Sequence, residues 1–239
     1  MQIGIIGAGF IGGTLARKLA AAGHHVRIAN SRAPETLTGF DGDDSIRPTW
    51  AVDAVTGADV AILSVPVKAI GALPEDVVTA LASVPVVIDT GNYYPVRDGN
   101  IDELDQGVTD SAWVAARLGR PVYKVFNNIT APSLKNKATD DAARRLGLTV
   151  AGPDGNSKQQ VMALVEEIGF DPVDAGTLED SWRLQPGTPT YCQDMTAEQL
   201  RTGLAATVLA DVETYHAGRD SMTAEQFAAA NDRVRRIMA

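Results

Sequence analysis

Ile3-Gly4-Ile5-Ile6-Gly7-Ala8-Gly9-Phe10-Ile11-Gly12 decides how this chain folds. A short apolar run enters a G-x-G-x-x-G turn without a break. A turn of this kind, leaving a buried strand and opening a helix, is where a doubly wound α/β sheet holds a dinucleotide pyrophosphate. The helix N-terminus offers the phosphates unpaired N–H groups and partial positive charge. Gly7, Gly9 and Gly12, with Phe10 and Ile11 in the first helical turn, are therefore the first candidate cofactor-binding residues.

The pattern outward from the turn supports this reading. Ile11 to Ala22 is rich in Ala and Leu and reads as a helix closed by Gly23. Strand-like runs follow at 25–29, 59–63, 84–89, 121–126, 148–151 and 170–174, with a helix at 157–168 between the last two. Apolar strands separated by helical stretches imply a mostly parallel sheet covered on both faces, a Rossmann-type α/β fold. The pattern changes near Ala175-Gly176, and no strand is expected beyond it. The expected organisation is a dinucleotide-binding domain over 1–175 and a small helical subdomain over 176–239. Within the latter, 179–191 reads as an ordered loop and Thr196 opens a helix to about His216, with Leu200, Leu204, Val208 and Val212 on one stripe. Thr223-Ala224-Glu225-Gln226 resembles a capping box for a last helix. The long apolar stripe makes a homodimer an expectation. Trp50 and Trp113 read as core or edge packing.

The end of the second strand discriminates between dinucleotides. An NAD site places a carboxylate there for the ribose 2′-OH. Here the strand ends in Ala29-Asn30-Ser31-Arg32, with no carboxylate before Glu35. Asn30 can hold a ribose hydroxyl, and Ser31 and Arg32 can donate to a 2′-phosphate. NADP(H) is the expected cofactor.

In open α/β sheets the ligand lies across the carboxyl ends of the strands. Three further strand ends thus become candidates: Ser64-Val65-Pro66 beside the nicotinamide ribose, Thr90 in Asp89-Thr90-Gly91-Asn92, and Asn127 with its neighbour Asn128. The two Asn side chains can bond a carboxamide or a substrate carbonyl, although Asn at a strand end is also a plain turn former. Acid–base candidates are few. His24 and His25 enter the second strand at the wrong end of the sheet and read as surface residues; His216 closes the C-terminal helix. Three scattered His and the single Cys192 give no metal-ligand spacing, and Cys192 has no adjacent base in sequence. Lys158 is the last lysine, so the helical part has none to act as a general acid. Direct hydride exchange with a second ring needs mainly orientation and exclusion of water.

Composition excludes other classes. The net charge of −9 disfavours a nucleic-acid groove or an anionic membrane as partner. The first residues show no basic, cleavable pattern, so no secretory leader is expected, and no apolar stretch approaches a membrane span. One cysteine fits a reducing compartment, so a cytoplasmic location is expected.

Gly4 to Gly12, Asn30-Ser31-Arg32, Ser64-Val65-Pro66 and Lys124-Val125-Phe126-Asn127 together resemble the family of coenzyme F420-dependent NADP oxidoreductases. The resemblance extends over about residues 1–175. It implies hydride transfer between NADP(H) and a deazaflavin, with Ser31 and Arg32 on the 2′-phosphate and the 64–66 turn lining the nicotinamide. The deazaflavin would lie between the sheet edge and the helical subdomain. Residues 89–98 and 181–189 resemble a bacterial branch known simply as NADP oxidoreductase, for which a deazaflavin or a flavin is open as the acceptor. Trp182, Arg183 and Tyr191 either line an acceptor pocket or anchor a loop. Two other readings stand beside this one: an NADP-dependent small-molecule dehydrogenase or imine reductase, and a non-catalytic NADPH sensor.

Overall fold

The computed structural model describes residues 1–40 and 42–238. Its strands are β1 (Gln2–Ile6), β2 (His25–Ala29), β3 (Ile46–Pro48), β4 (Val60–Leu63), β5 (Val86–Asp89), β6 (Tyr123–Val125), β7 (Gly147–Ala151) and β8 (Asp171–Asp174). Its helices are α1 (Phe10–Ala21), α2 (Ala51–Val55), α3 (Val67–Ile70), α4 (Glu75–Ala82), α5 (Pro95–Asp98), α6 (Asp102–Asp105), α7 (Asp110–Leu118), α8 (Ala131–Asn136), α9 (Asn156–Glu167), α10 (Ala197–Ala206), α11 (Val212–Asp220) and α12 (Ala224–Met238).

The strands form one eight-stranded sheet in the order β3-β2-β1-β4-β5-β6-β7-β8. All pairings are parallel except β6 with β7. The period of two along each strand builds two cores. Ile3, Ile5, Val60, Ile62 and Ile88 face α1 and α9, while Ile6, Ala61, Leu63 and Val87 face the α2, α4 and α7 side. Each fully buried Ile, Leu or Val contributes about 1.5–3 kcal/mol. This is the expected doubly wound α/β fold of Rossmann type. The order reverses between β1 and β4, so a crevice opens at the carboxyl ends of those strands.

The structure adds β3, which sequence reading passed over. It is three residues long and contains Pro48, a residue tolerated there because β3 is an edge strand. Beyond Asp174 the described residues form only helices and turns. The 179–191 loop begins as a 3-10 turn over Glu179–Leu184. The expected helix from Thr196 to His216 is broken. α10 ends at Ala206, where the β-branched pair Thr207-Val208 adopts extended geometry, and α11 restarts at Val212. The stripe divides with it: Leu200 and Leu204 are buried against β7 and β8 in the chain's own core, whereas Val208 is exposed. The helical stripe therefore does not argue for a dimer. Both bonds of the Thr223 capping box form, Thr223 N to Gln226 Oε1 at 2.8 Å and Gln226 N to Thr223 Oγ1 at 3.2 Å.

His24 is not a surface residue. It is buried, with Nε2 2.8 Å from Glu167 Oε2 and Nδ1 3.2 Å from the N-terminal nitrogen, so it ties β2's entry to α9. His25 is exposed. Trp113 packs in the core, but Trp50 is 54% exposed. No helix among the described residues is long and apolar enough to cross a membrane.

Candidate active site

The three motif glycines are required for three different reasons. At Gly7, φ is +108° and a Cβ would lie 2.1 Å from the Ser64 carbonyl oxygen, so β1 can turn this tightly beside β4 only with glycine. At Gly12 a Cβ would lie 1.9 Å from the Gly7 oxygen, so α1 could not close on its own turn. At Gly9 no described protein atom lies within 4 Å of the Cβ position. Gly9 caps α1 with no side chain, leaving the helix N-terminus bare. A cradle that protein leaves open at the positive end of a 12-residue helix fits a pyrophosphate.

From this turn a cleft of about 400 Å³ runs along the strand ends, within the size range of small-molecule sites. Gly9, Phe10 and Ile11 line its start; Ser64, Val65, Pro66 and Thr90 line its middle. Thr90 also ties β5 to β4, donating from its backbone N to the Leu63 oxygen at 3.0 Å. Gly7 and Gly12 shape the turn from beneath. Asn30, Ser31 and Arg32 stand outside the cleft, at the end of β2 on the other side of the glycine turn. That is the side where the adenosine half of a dinucleotide would extend. Asn30 is engaged locally: its Oδ1 accepts from Arg32 N at 2.7 Å and its Nδ2 donates to Thr36 Oγ1 at 3.2 Å. It shapes the loop that presents Ser31 and Arg32. Both of those are exposed, and no hydrogen bond or ion pair among the described residues holds the Arg32 guanidinium.

Asn127 is 2% exposed and lines the far part of the cleft. Its Nδ2 donates to the Leu184 oxygen at 2.8 Å and to Asn92 Oδ1 at 3.2 Å. Its Oδ1 has no partner among the described residues. With both donors engaged, Asn127 can only accept. It suits the N–H of a nicotinamide carboxamide and not a substrate carbonyl. Asn128 does not line the cleft, and nothing in the structure explains its unpartnered buried amide.

Of the cleft's other wall, sequence reading named Tyr191 as a pocket candidate and missed the rest. Tyr94, Arg97, Phe126, Tyr191 and Cys192 face it, and α12 crosses it with Phe227, Ala230, Asn231 and Val234. The hydroxyls of Tyr94 and Tyr191 lie 2.8 Å apart, and the Tyr94 ring lies 5.5 Å from Phe227. Phe126 and Cys192 are the only described non-glycine residues with positive φ, at 62° and 53°. Cys192 N donates to the oxygen of Asn128, two residues beyond Phe126, at 3.0 Å, which ties the Cys192 turn to the segment after β6. Left-handed geometry costs about 1–2 kcal/mol per residue and concentrates where function needs an unusual turn. No sequence signal marks Phe or Cys for such a backbone. Burial pushes the Cys192 thiol up to about 11, so at neutral pH it is a protonated thiol and not a nucleophile. Trp182 and Arg183 stay out of the cleft: Arg183 packs over the Trp182 ring at 5.2 Å and anchors the loop. His216 lies within α11 and also outside the cleft; burial, then Arg219, lowers its pKa.

Beneath the cleft lies a buried charged network. Lys124 is fully buried, with Nζ 3.6 Å from Asp110 Oδ2 and donating to the Gly91 oxygen at 3.0 Å and Ser111 Oγ at 3.3 Å. Ser111 in turn donates to Asp89 at 2.7 Å. Asp110 also accepts from Tyr93 N and from Gln185 Nε2. The network joins β5, β6, α7 and the loop that carries Tyr191. Among the described residues no group of His, Cys, Asp and Glu is arranged to hold a metal ion.

Fold and cleft define a nicotinamide-dinucleotide oxidoreductase. Residues 2–93 match the family described as NADP oxidoreductase coenzyme F420-dependent, and the chain belongs to that family. A crystal structure of a hypothetical protein from Sinorhizobium meliloti, SMa0349, is 32% identical with a TM-score of 0.70, covering 82% of this chain and 95% of that one. A candidate F420-dependent NADP-reductase from Arthrobacter sp. FB24 is 22% identical with a TM-score of 0.61, over 74% of this chain and 86% of its own, and shares the fold. The Escherichia coli K12 protein YjhV is 44% identical over 62 residues, 26% of this chain. That match spans 45% of the curated relative.

Proposed function

We propose that the protein transfers hydride between NADP(H) and a planar deazaflavin (F420)- or flavin-like acceptor. The observation that carries this reading is the shape of the cleft. It starts at the glycine turn, passes the 64–66 turn, and continues into a chamber lined by the aromatic rings of Tyr94, Phe126, Tyr191 and Phe227. Flat apolar walls with few charged groups suit a second ring laid against the nicotinamide.

The glycine turn and the α1 N-terminus would hold the pyrophosphate. Ser31 and Arg32 would hold the 2′-phosphate, and Asn127 Oδ1 the carboxamide. NADPH held this way supplies a hydride from its nicotinamide ring. The Ser64–Pro66 turn lines one side of the cleft and α12 the other, which would orient the reactants against each other. The partner is then a small molecule, not a nucleic acid or a membrane. A dehydrogenase or imine-reductase reading draws support from the tyrosine hydroxyls in the same chamber. A sensor reading draws less, since the cleft beside the cofactor is open and carries polar groups.

The test mixes the protein and NADPH with a 5-deazaflavin, FMN, a ferric chelate and a cyclic imine, and follows NADPH absorbance. Oxidation with the deazaflavin or FMN is expected. Turnover of the imine alone would move the assignment to imine reduction, and NADPH binding with no turnover would favour the sensor.

A further inference from the structure

Reduction of a C=N or C=O bond by hydride also needs a proton at the heteroatom. The absence of a lysine in the helical part left no evident donor, but the folded chain brings one together. Tyr94 follows β5 and Tyr191 lies 97 positions later in the loop before α10, yet their hydroxyl oxygens are 2.8 Å apart and both residues line the cleft. Two phenols carry two protons, and their mutual hydrogen bond uses only one. The geometry points to Tyr94 as the group that delivers the proton to the reduced acceptor, with Tyr191 as the positioning residue that donates its own hydrogen bond to the Tyr94 oxygen. This inference rests on the hydride-transfer reading above.

The surroundings favour that direction. Burial raises both phenols above the usual tyrosine value, Tyr191 the more strongly, so both are protonated at neutral pH. The hydrogen bond from Tyr191 and the charge of Arg97 act the other way on Tyr94, which makes it the easier of the two to ionise. The Arg97 guanidinium carbon sits 5.6 Å from the Tyr94 ring centre, held there by its pairing with Asp98 at 2.7 Å. Cys192 and Asp110 oppose ionisation of Tyr94. From α12 the ring is met by Phe227, which is uncharged.

The step balances. The nicotinamide C4–H bond breaks to leave NADP+, its hydride forms a C–H bond at the carbon of a C=N or C=O bond or at a carbon conjugated to one, and the displaced π pair moves to the heteroatom. The Tyr94 O–H bond breaks, its proton forms an N–H or O–H bond on the acceptor heteroatom, and the electron pair stays on the Tyr94 oxygen. The Tyr191 O–H and the Arg97 charge stabilise that phenolate until solvent returns a proton. The acceptor class is thus a compound with a polarised C=N or C=O bond, isolated or conjugated, a requirement that a deazaflavin and an imine both meet. One-electron acceptors would not need the pair.

The test compares the unaltered chain with Tyr94→Phe and Tyr191→Phe in three measurements. NADPH binding, read by fluorescence, should be unchanged in both variants. Tyrosinate absorbance titrated against pH in the protein alone should show Tyr94 ionising at higher pH in Tyr191→Phe. With the deazaflavin or imine as probe, Tyr94→Phe should lower kcat at least tenfold with KM for NADPH unchanged, and Tyr191→Phe should lower it less and shift the alkaline limb of the pH profile. Turnover by Tyr94→Phe within twofold of the unaltered protein overturns the proton-donor assignment and leaves hydride transfer standing. Failure of the unaltered protein to oxidise NADPH with any probe overturns the hydride-transfer reading and this inference together. An unmoved Tyr94 titration in Tyr191→Phe removes Tyr191 from its role.

Discussion

Replacing Gly9 by alanine separates a glycine kept for the fold from one kept for a ligand. The Gly9 backbone, φ −73° and ψ −165°, is open to any L-residue, and the added Cβ meets no described protein atom within 4 Å. Two small effects on stability oppose each other. A Gly-to-Ala change at a compatible backbone gains about 0.4–1 kcal/mol through the unfolded chain. Alanine is a poorer helix cap than glycine, by a comparable amount of roughly 1 kcal/mol or less. The net change should stay within about 1 kcal/mol, or roughly 2–4 °C in Tm for a chain of this size. Binding should respond differently, because the methyl group occupies the space a pyrophosphate must enter to reach the α1 N–H groups. Losing one charge-assisted hydrogen bond costs about 1.5–3 kcal/mol, a weakening of about tenfold to a hundredfold. Thermal unfolding and NADPH fluorescence titration on the same samples test both halves. Gly12→Ala is the contrast: its Cβ would collide with the Gly7 oxygen at 1.9 Å, so stability and binding should fall together. Gly9→Ala protein that melts normally and binds NADPH as tightly as the unaltered chain would refute the pyrophosphate assignment.

Three further outcomes are expected. NADPH should bind at least tenfold tighter than NADH, and Arg32→Ala should erase the difference; because Arg32 is exposed, the preference should also shrink with added salt, and equal affinities in the unaltered protein would end the 2′-phosphate reading. Lys124→Met leaves the Asp110 carboxylate buried without its cation and should cost about 3–5 kcal/mol in urea unfolding, whereas a loss below about 1 kcal/mol would show that the network does not need its charge. Cys192 should alkylate at least tenfold more slowly in the folded protein at pH 8 than in urea. The reason is that burial disfavours the thiolate and the rate should climb only as pH nears 11, so fast folded-state labelling would contradict its burial.

The parts of the site legible in sequence are those built from local chain geometry. The glycine turn, the Ser64-Val65-Pro66 end of β4 and the strand ends at Thr90 and Asn127 are each written within a few residues, because a parallel strand and its following turn are set by period and by turn chemistry. Seven of the eight strands follow from the same signals, with β3 lost because Ile46-Arg47-Pro48 is too short and too polar to register; their order and the antiparallel β6–β7 pairing come from the fold. The opposite wall is written nowhere locally. Tyr94 and Tyr191 come together through long-range ties, among them Asp110 at the start of α7, which accepts from Tyr93 N on one side and Gln185 on the other. The helix break at Thr207-Val208 was equally hidden, since the apolar stripe runs through it without a proline or glycine to mark it.

That division bears on what kind of catalyst this is. The half read from sequence is the half that, on the proposed reading, would address the dinucleotide: an open cradle at Gly9, a basic loop at Arg32, an unpartnered oxygen at Asn127. The half contributed by long-range packing would then address the second reactant: the tyrosine pair, the Phe227 ring and the strained Phe126 and Cys192 backbones. None of the described residues of α12 is fully buried, yet its side chains complete this wall. A helix held so lightly against the body has a low cost of local opening. On the proposed reading, substrate choice would lie mainly with residues 94, 191 and 222–234, and exchanging α12 between family members should change the acceptor while leaving the NADPH affinity in place.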